Sequence, residues 1–190
     1  MNEKTITIVS GLPRSGTSMM MMMLQAGGMD VLTDNIRRAD EDNPKGYYEF
    51  ERVKEIEHDK SWLPLAEGKA VKMISALLQH LPDDHHYKVI FMRRKMEEIL
   101  ASQRQMLIRR GENPDAVSDE KIAEVSRKHL QQVEDWLSEQ PYMEVLYVHY
   151  NDVLNDPQGQ AVRISNFLDR RVDPDRMAQA VDKRLYRQRG

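Results

Sequence analysis

Residues 11–18 (Gly-Leu-Pro-Arg-Ser-Gly-Thr-Ser) combine the residue types of a phosphate-binding loop. Residues 5–10, directly before them, are β-branched and mostly apolar, which is typical of a buried strand. Residues 19–24, directly after them, are unbranched helix formers. A strand, a loop bounded by glycines and a helix form the context in which such a loop binds phosphate.

Each part of this loop can contribute to binding an anion. Gly11 allows a sharp turn after the strand, and Gly16 allows the backbone to approach a ligand closely. Backbone amides and the positive end of the following helix attract the anion, and hydroxyl groups add donors. We therefore predict that the ligand is held by Pro13, Arg14, Ser15, Gly16, Thr17 and Ser18.

The cation of this loop has an unusual position. The ATPase pattern GxxxxGK[ST] has a lysine where this chain has Thr17, and the cation lies inside the loop at Arg14. The alternative interpretation is a strand-to-helix turn that contains glycine and serine and binds nothing.

A second candidate phosphate site follows a second strand. Residues 87–92 are apolar and run into Arg93 and Arg94, and Ser102 follows eight positions after Arg94 on a helix predicted over 96–109. Arginine suits bidentate phosphate recognition, and the serine adds a hydroxyl donor. The alternative is that these arginines are solvated cations at a strand end.

The wider pattern predicts an α/β fold. Strands predicted at 5–10, 70–74, 87–92 and 143–148 alternate with helices, which indicates a parallel sheet with helices on both faces. Ligands bind such sheets at the carboxyl ends of the strands, so the loop and the Arg94 segment are expected to face one crevice. We predict one domain over residues 1–190.

These motifs together resemble the sulfotransferases that use 3′-phosphoadenosine 5′-phosphosulfate (PAPS). Pro-Arg-Ser-Gly-Thr after a strand is similar to their 5′-phosphosulfate loop, and the spacing of Arg94 and Ser102 is similar to their 3′-phosphate site. Residues 148–157 resemble a Tyr-Glu-Asp-Leu block of the family, with Asn151 where glutamate is usual. The nearest likeness is to small bacterial sulfotransferase-domain proteins, with a loop like that of tyrosylprotein sulfotransferases.

The resemblance implies a three-layer fold of the P-loop NTPase type and sulfuryl transfer from PAPS to a hydroxyl or amine acceptor. The product nucleotide would be adenosine 3′,5′-bisphosphate, and no metal would be required. Arg14 would stabilise charge on the departing phosphate oxygen, while Thr17 and Ser18 hold the 5′-phosphate. Arg94 and Ser102 would hold the 3′-phosphate.

Glu49 is the candidate general base. It ends residues 43–49 (Asn-Pro-Lys-Gly-Tyr-Tyr-Glu), which resemble an Asn-Pro-x-Gly-Tyr-x-Glu segment of the small bacterial proteins. An acceptor must lose a proton as its bond to sulfur forms, and a glutamate near a cationic loop suits that step. The alternative is that Glu49 is a first-turn acid of a helix predicted over 47–58, where the helix dipole favours it.

Two other functions stay open at the level of sequence. One is a P-loop kinase of nucleotides or small molecules, which is weakened by Thr17 in place of the loop lysine and by the lack of a clear strand-end aspartate for magnesium. The other is a nucleotide-binding module without turnover.

Composition limits the partners. The formal net charge is −3, cysteine is absent and the apolar run at 19–24 is far too short to span a bilayer. We expect a cytoplasmic protein that binds a small molecule or another acceptor, with no nucleic acid and no membrane as partner. The oligomeric state stays open.

Overall fold

A single parallel sheet organises the part of the chain that the computed structural model describes, which is residues 5–34, 36 and 46–182. Its strands are β1 (Thr5–Gly11), β2 (Ala70–Lys72), β3 (His86–Arg93) and β4 (Met143–His149). The strand order is β2-β1-β3-β4, and all three pairings are parallel. The structure therefore confirms the predicted α/β class with a central parallel sheet.

Helices connect the strands. The α-helices in the described residues are α1 (Thr17–Ala26), α2 (Leu63–Ala66), α3 (Met96–Arg109), α4 (Asp119–Ser138), α5 (Tyr150–Asn155), α6 (Pro157–Phe167) and α7 (Pro174–Gln179). Two 3-10 helices cover Glu51–Glu55 and Ser75–His80. None of these helices is long and apolar enough to cross a membrane.

Both faces of the sheet are covered, as the long apolar strands require. One core contains Val9 with Met20 and Met23 of α1 and residues of α5, α6 and α7. The opposite core contains Ile8 and Phe91 with α2, the 3-10 helices and α4. Alternate residues of β1 thus point into different cores, and three layers result.

The strand order places the ends of β1 and β3 side by side. The chain leaves β1 for β2 on one side and later returns to place β3 on the other side, so the order reverses at β1. Open α/β sheets bind ligands at such a switch point. Because Gly11 pairs in register with Met92, the loop after β1 and the arginines after β3 begin next to each other.

The helix predicted over 47–58 is wrong. Residues 46–50 form neither a helix nor a strand, Tyr48 has a left-handed φ of 54°, and the 3-10 helix begins only at Glu51. The carboxylate of Asp34 accepts a 2.6 Å hydrogen bond from the Glu51 amide, so the residue that satisfies the helix start lies far away in sequence. Residues 43–45 lie outside the described part of the chain.

Candidate nucleotide site

The loop after β1 presents the N-terminus of α1. Gly16 precedes this helix with φ 101°, and no side-chain hydrogen bond caps it there. The first bond of the helix runs from the Met20 amide to the Gly16 carbonyl at 3.1 Å. The amides of the first helical turn, from Thr17 onward, therefore have no acceptor within the helix, and such amides bind anions.

The loop keeps its shape through its own hydrogen bonds. The Ser15 hydroxyl donates to the Leu12 carbonyl at 2.7 Å, and the Ser15 amide donates to the same oxygen at 3.2 Å. A Cβ on Gly11 would lie 2.6 Å from both the Met92 carbonyl oxygen and Ser15 Oγ, so the tight turn requires glycine. Ser15 thus supports the loop from inside, while Pro13 is exposed and has no amide hydrogen.

Arg14 joins the two predicted phosphate sites. Its Nε donates to the Oγ of Ser102 at 2.9 Å, and Ser102 lies buried on α3. Arg14 also has φ 69°, a left-handed conformation that is uncommon for a residue other than glycine. The structure therefore brings the loop after β1 and the helix after β3 into direct contact.

Arg94 is enclosed by protein. Its side chain is 8% exposed, its Nε donates to Glu98 Oε2 at 2.8 Å, and its Nη1 donates to the Arg14 carbonyl at 3.1 Å. Its Cζ lies 4.4 Å from the ring centroid of Tyr150. The interpretation of Arg94 as a solvated surface cation is therefore wrong.

Arg93 has different partners from Arg94. Its Nη2 lies 2.6 Å from Glu134 Oε2 of α4, and its Cζ lies 4.1 Å from the Tyr147 ring centroid. Burial, with Glu134 nearby, raises the pKa of the Tyr147 phenol, so this ring is neutral at physiological pH. Arg93 thus belongs to the packing of α4 on the sheet.

Lys72 lies between Glu49 and the loop and contacts both. Lys72 ends β2, and its Nζ lies 3.6 Å from Glu49 Oε1 and 3.5 Å from Ser18 Oγ, while it also donates to the Tyr47 carbonyl. The side chains of Lys72 and Glu49 are 12% and 20% exposed. The structure therefore places the predicted base one side chain away from the start of α1.

The backbone at Glu49 is held from another segment. Its carbonyl accepts hydrogen bonds from Thr33 Oγ1 at 2.9 Å and from the Asp34 amide at 3.2 Å. Because the helix begins after this residue, the interpretation of Glu49 as a first-turn helix acid is wrong. Burial raises the pKa of the neighbouring Tyr48 phenol, which donates to Gln25 Oε1 at 3.0 Å. Tyr48 therefore remains a neutral hydrogen-bond donor.

Sequence reasoning missed two charged residues of this site. Lys72 is the last residue of β2, at the edge where ligands bind, but the strand predicted over 70–74 placed it in mid-strand, so its position at that edge had no signal in the sequence. Glu98 follows Arg94 at the i,i+4 spacing of a helical ion pair, which was a weak signal. Among the described residues, no group of three His, Asp or Glu side chains is arranged to hold a metal ion.

Comparison with known families decides the identity of this scaffold. The model of the sulfotransferase domain family matches residues 4–188. The chain belongs to the sulfotransferase domain family. This is an enzyme family that uses PAPS, and the match confirms the resemblance seen in the motifs. A comparison with curated proteins found no match to the sequence.

Solved structures of sulfotransferases share the fold. The sulfotransferase domain from the curacin biosynthetic pathway has a TM-score of 0.55 at 15% identity, over 94% of this chain and 78% of that one. The sulfotransferase domain from the Synechococcus PCC 7002 olefin synthase has a TM-score of 0.55 at 16% identity, over 95% of this chain and 75% of that chain. Mouse sulfotransferase SULT7A1, complexed with PAP, has a TM-score of 0.54 at 18% identity, over 95% of this chain and 63% of that chain. These likenesses confirm the predicted P-loop-like fold, whereas the roles of individual site residues stay predictions.

Replacement of Gly16 by alanine tests the tight packing of the loop. A Cβ at Gly16 would lie 2.4 Å from Tyr150 Cδ2, and the backbone has positive φ. Gly28 is the matched control, because it also has positive φ but no atom lies within 4 Å of a Cβ built there. Gly28→Ala should lower the free energy of unfolding by about 1 kcal/mol, and Gly16→Ala by roughly 1 to 3 kcal/mol more.

Urea unfolding measures both changes. Equal losses for the two variants would contradict the close contact between Gly16 and Tyr150.

Proposed function

We propose that this sulfotransferase transfers a sulfuryl group from PAPS to a hydroxyl or amine acceptor by in-line displacement. The observation that carries the proposal is the hydrogen-bonded contact of Arg14 with Ser102 and of Arg94 with the Arg14 carbonyl, at the switch point of the sheet. This contact joins two predicted phosphate-binding elements around the start of α1. The family membership and the PAP-bound mouse relative support a PAPS-type nucleotide as ligand.

The nucleotide would span the two elements. The loop amides with Thr17 and Ser18 would hold the 5′-phosphate at the N-terminus of α1. Arg94 and Ser102 would hold the 3′-phosphate, since a guanidinium and a hydroxyl both donate to phosphate oxygens. The side chains of Arg94 and Ser102 are almost fully buried, so their contacts with the 3′-phosphate would form with little water in between.

The transfer step forms one bond and breaks another at sulfur. The acceptor oxygen or nitrogen attacks the sulfur, the bond from sulfur to the 5′-phosphate oxygen breaks, and its electron pair stays on that oxygen. Arg14 would stabilise the charge that develops there, as a permanently protonated donor. Lys72, next to Ser18, would supply a second cation on the same side of the loop.

Glu49 would take the proton that the acceptor loses. Its carboxylate is 20% exposed, so an acceptor can reach it, and the ion pair with Lys72 holds it beside the loop. Proton removal by a positioned carboxylate commonly accelerates a reaction by two to four orders of magnitude. A kinase and a binding module without turnover are the alternatives, and the choice of donor distinguishes both from sulfuryl transfer.

The choice of donor tests the function directly. We expect sulfate transfer from labelled PAPS to at least one member of a panel of phenols, sugars and amines, and we expect it to persist in excess EDTA. A kinase needs magnesium to offset phosphoryl charge, whereas Arg14 is a fixed cation within the loop. Arg14→Ala should lower transfer by at least about 100-fold, and Arg14→Lys should retain part of it because a charge remains.

Two results would contradict this function. Magnesium-dependent phosphate transfer from ATP without sulfate transfer would identify a kinase. Tight binding of adenosine 3′,5′-bisphosphate without transfer to any acceptor would identify a binding module.

Glu49→Gln tests the base. The variant should lower turnover by about 100-fold or more while nucleotide affinity stays near that of the wild type, because the amide keeps the shape but accepts no proton. Glu51→Gln is the control: it removes an acid two residues further along that pairs with Lys54. Steady-state kinetics and calorimetry provide the two readouts, and wild-type turnover of Glu49→Gln would exclude it as the base.

Nucleotide preference tests the 3′-phosphate site. The wild type should bind adenosine 3′,5′-bisphosphate more tightly than AMP, and Arg94→Ala should remove most of that difference, about 1.5 to 3 kcal/mol for a charge-assisted contact. Lys95→Ala, which removes the adjacent exposed cation, should keep the difference. Titration calorimetry measures it, and equal affinities in the wild type would exclude a 3′-phosphate site.

A further inference from the structure

The peptide bond between Arg14 and Ser15 is held at both ends. Its carbonyl oxygen accepts from Arg94 Nη1 at 3.1 Å, and its N–H donates to the Leu12 carbonyl at 3.2 Å. A peptide group is planar, so two such bonds fix the orientation of the whole unit. Because Arg14 has positive φ, this orientation is intrinsically unfavourable and persists only where the surroundings impose it.

Arg94 is itself held by a buried carboxylate. Glu98 is 2% exposed, and its Oε2 accepts from Arg94 Nε at 2.8 Å. Its other oxygen, Oε1, accepts from Asn151 Nδ2 of α5 at 2.9 Å. Both oxygens of Glu98 therefore have hydrogen-bond donors, as a buried charge requires, and the bond from Asn151 helps to fix the carboxylate that orients Arg94.

Tyr150 extends the same network to the far end of the loop. Its ring lies under the Arg94 guanidinium, and it packs so closely on Gly16 that a Cβ there would be 2.4 Å from the ring. The planar guanidinium stacks favourably on such an aromatic face. Contacts from α3 and α5 thus reach the loop at Arg14 and at Gly16.

We infer that Glu98, with Asn151 and Tyr150, braces the phosphate loop through Arg94 and sets its anion-binding shape before any nucleotide arrives. Glu98 is a positioning residue, since it acts through Arg94 and is almost fully enclosed. The inference rests on the proposed function in one respect, namely that the loop holds the 5′-phosphate. A preformed loop loses less conformational freedom on binding and therefore binds more tightly.

Glu98→Gln tests the brace, because it removes the charge with almost no change of shape. In the nucleotide-free protein, hydrogen exchange of the loop amide of Ser15, which donates to the Leu12 carbonyl, should become about tenfold faster while β1 and β3 stay protected. AMP, which carries the 5′-phosphate alone, should bind about tenfold more weakly. Glu97→Gln is the matched control, since it removes an exposed charge at the adjacent position of α3.

A double variant shows whether Glu98 acts through Arg94. If it does, Glu98→Gln should weaken AMP binding in the wild type and add less than about twofold in an Arg94→Ala background. If Glu98→Gln does not fold, Asn151→Ala replaces it, because that change leaves the ion pair of Arg94 with Glu98 in place. Asn151→Ala should give the same pattern with about threefold effects.

The two readouts separate the brace from the proposed function. Unchanged loop exchange in Glu98→Gln, or in Asn151→Ala where it is used, overturns the inference whatever the protein binds. Faster exchange with unchanged AMP affinity also overturns it, because the braced shape would then not serve phosphate binding. A wild type that binds neither AMP nor adenosine 3′,5′-bisphosphate overturns the proposed function and the inference together, whereas binding without transfer overturns only the proposed function.

Discussion

The hydrogen bond from Arg94 to the Arg14 carbonyl is the contact on which the site depends. It exists because the order of the sheet changes direction at β1, which places β3 next to it with Gly11 in register with Met92. The loop that follows one strand and the arginine that follows the other are therefore neighbours in space although they are 80 positions apart. A different strand order would leave the same residues in the chain without joining them.

Local sequence was sufficient for the elements that this contact joins. The β-branched run before Gly11 and the helix formers after Gly16 predicted β1 and α1 because their signals lie within a few residues. The spacing of Arg94 and Ser102 was readable for the same reason, since both belong to one strand-to-helix unit. Their role toward phosphate stays a prediction, whereas their contact with Arg14 is a property of the fold.

Contacts between distant segments could not be read in this way. The region at 47–58 has residues compatible with a helix, but Thr33 and Asp34 bind the Glu49 carbonyl, and only Glu51–Glu55 form a short 3-10 helix. Lys72 became part of the site only because β2 ends beside α1. A single sequence gives no direct signal for such pairings, so tertiary contacts override local propensity at the places where the site is assembled.

The two acidic residues of the site, Glu98 and Glu49, differ in their exposure to solvent. Glu98 is 2% exposed and tied to Arg94, whereas Glu49 is 20% exposed and lies 3.6 Å from Lys72. Removal of one partner from a fully buried ion pair leaves an uncompensated charge, so the Arg94–Glu98 pair is suited to fixing geometry and unsuited to exchanging protons during turnover. The Lys72–Glu49 pair is more open to solvent, and its carboxylate can meet an acceptor without dismantling the fold. The enclosed pair is therefore suited to fixing the shape of the loop, and the more open pair is suited to the proton transfer that we propose beside it.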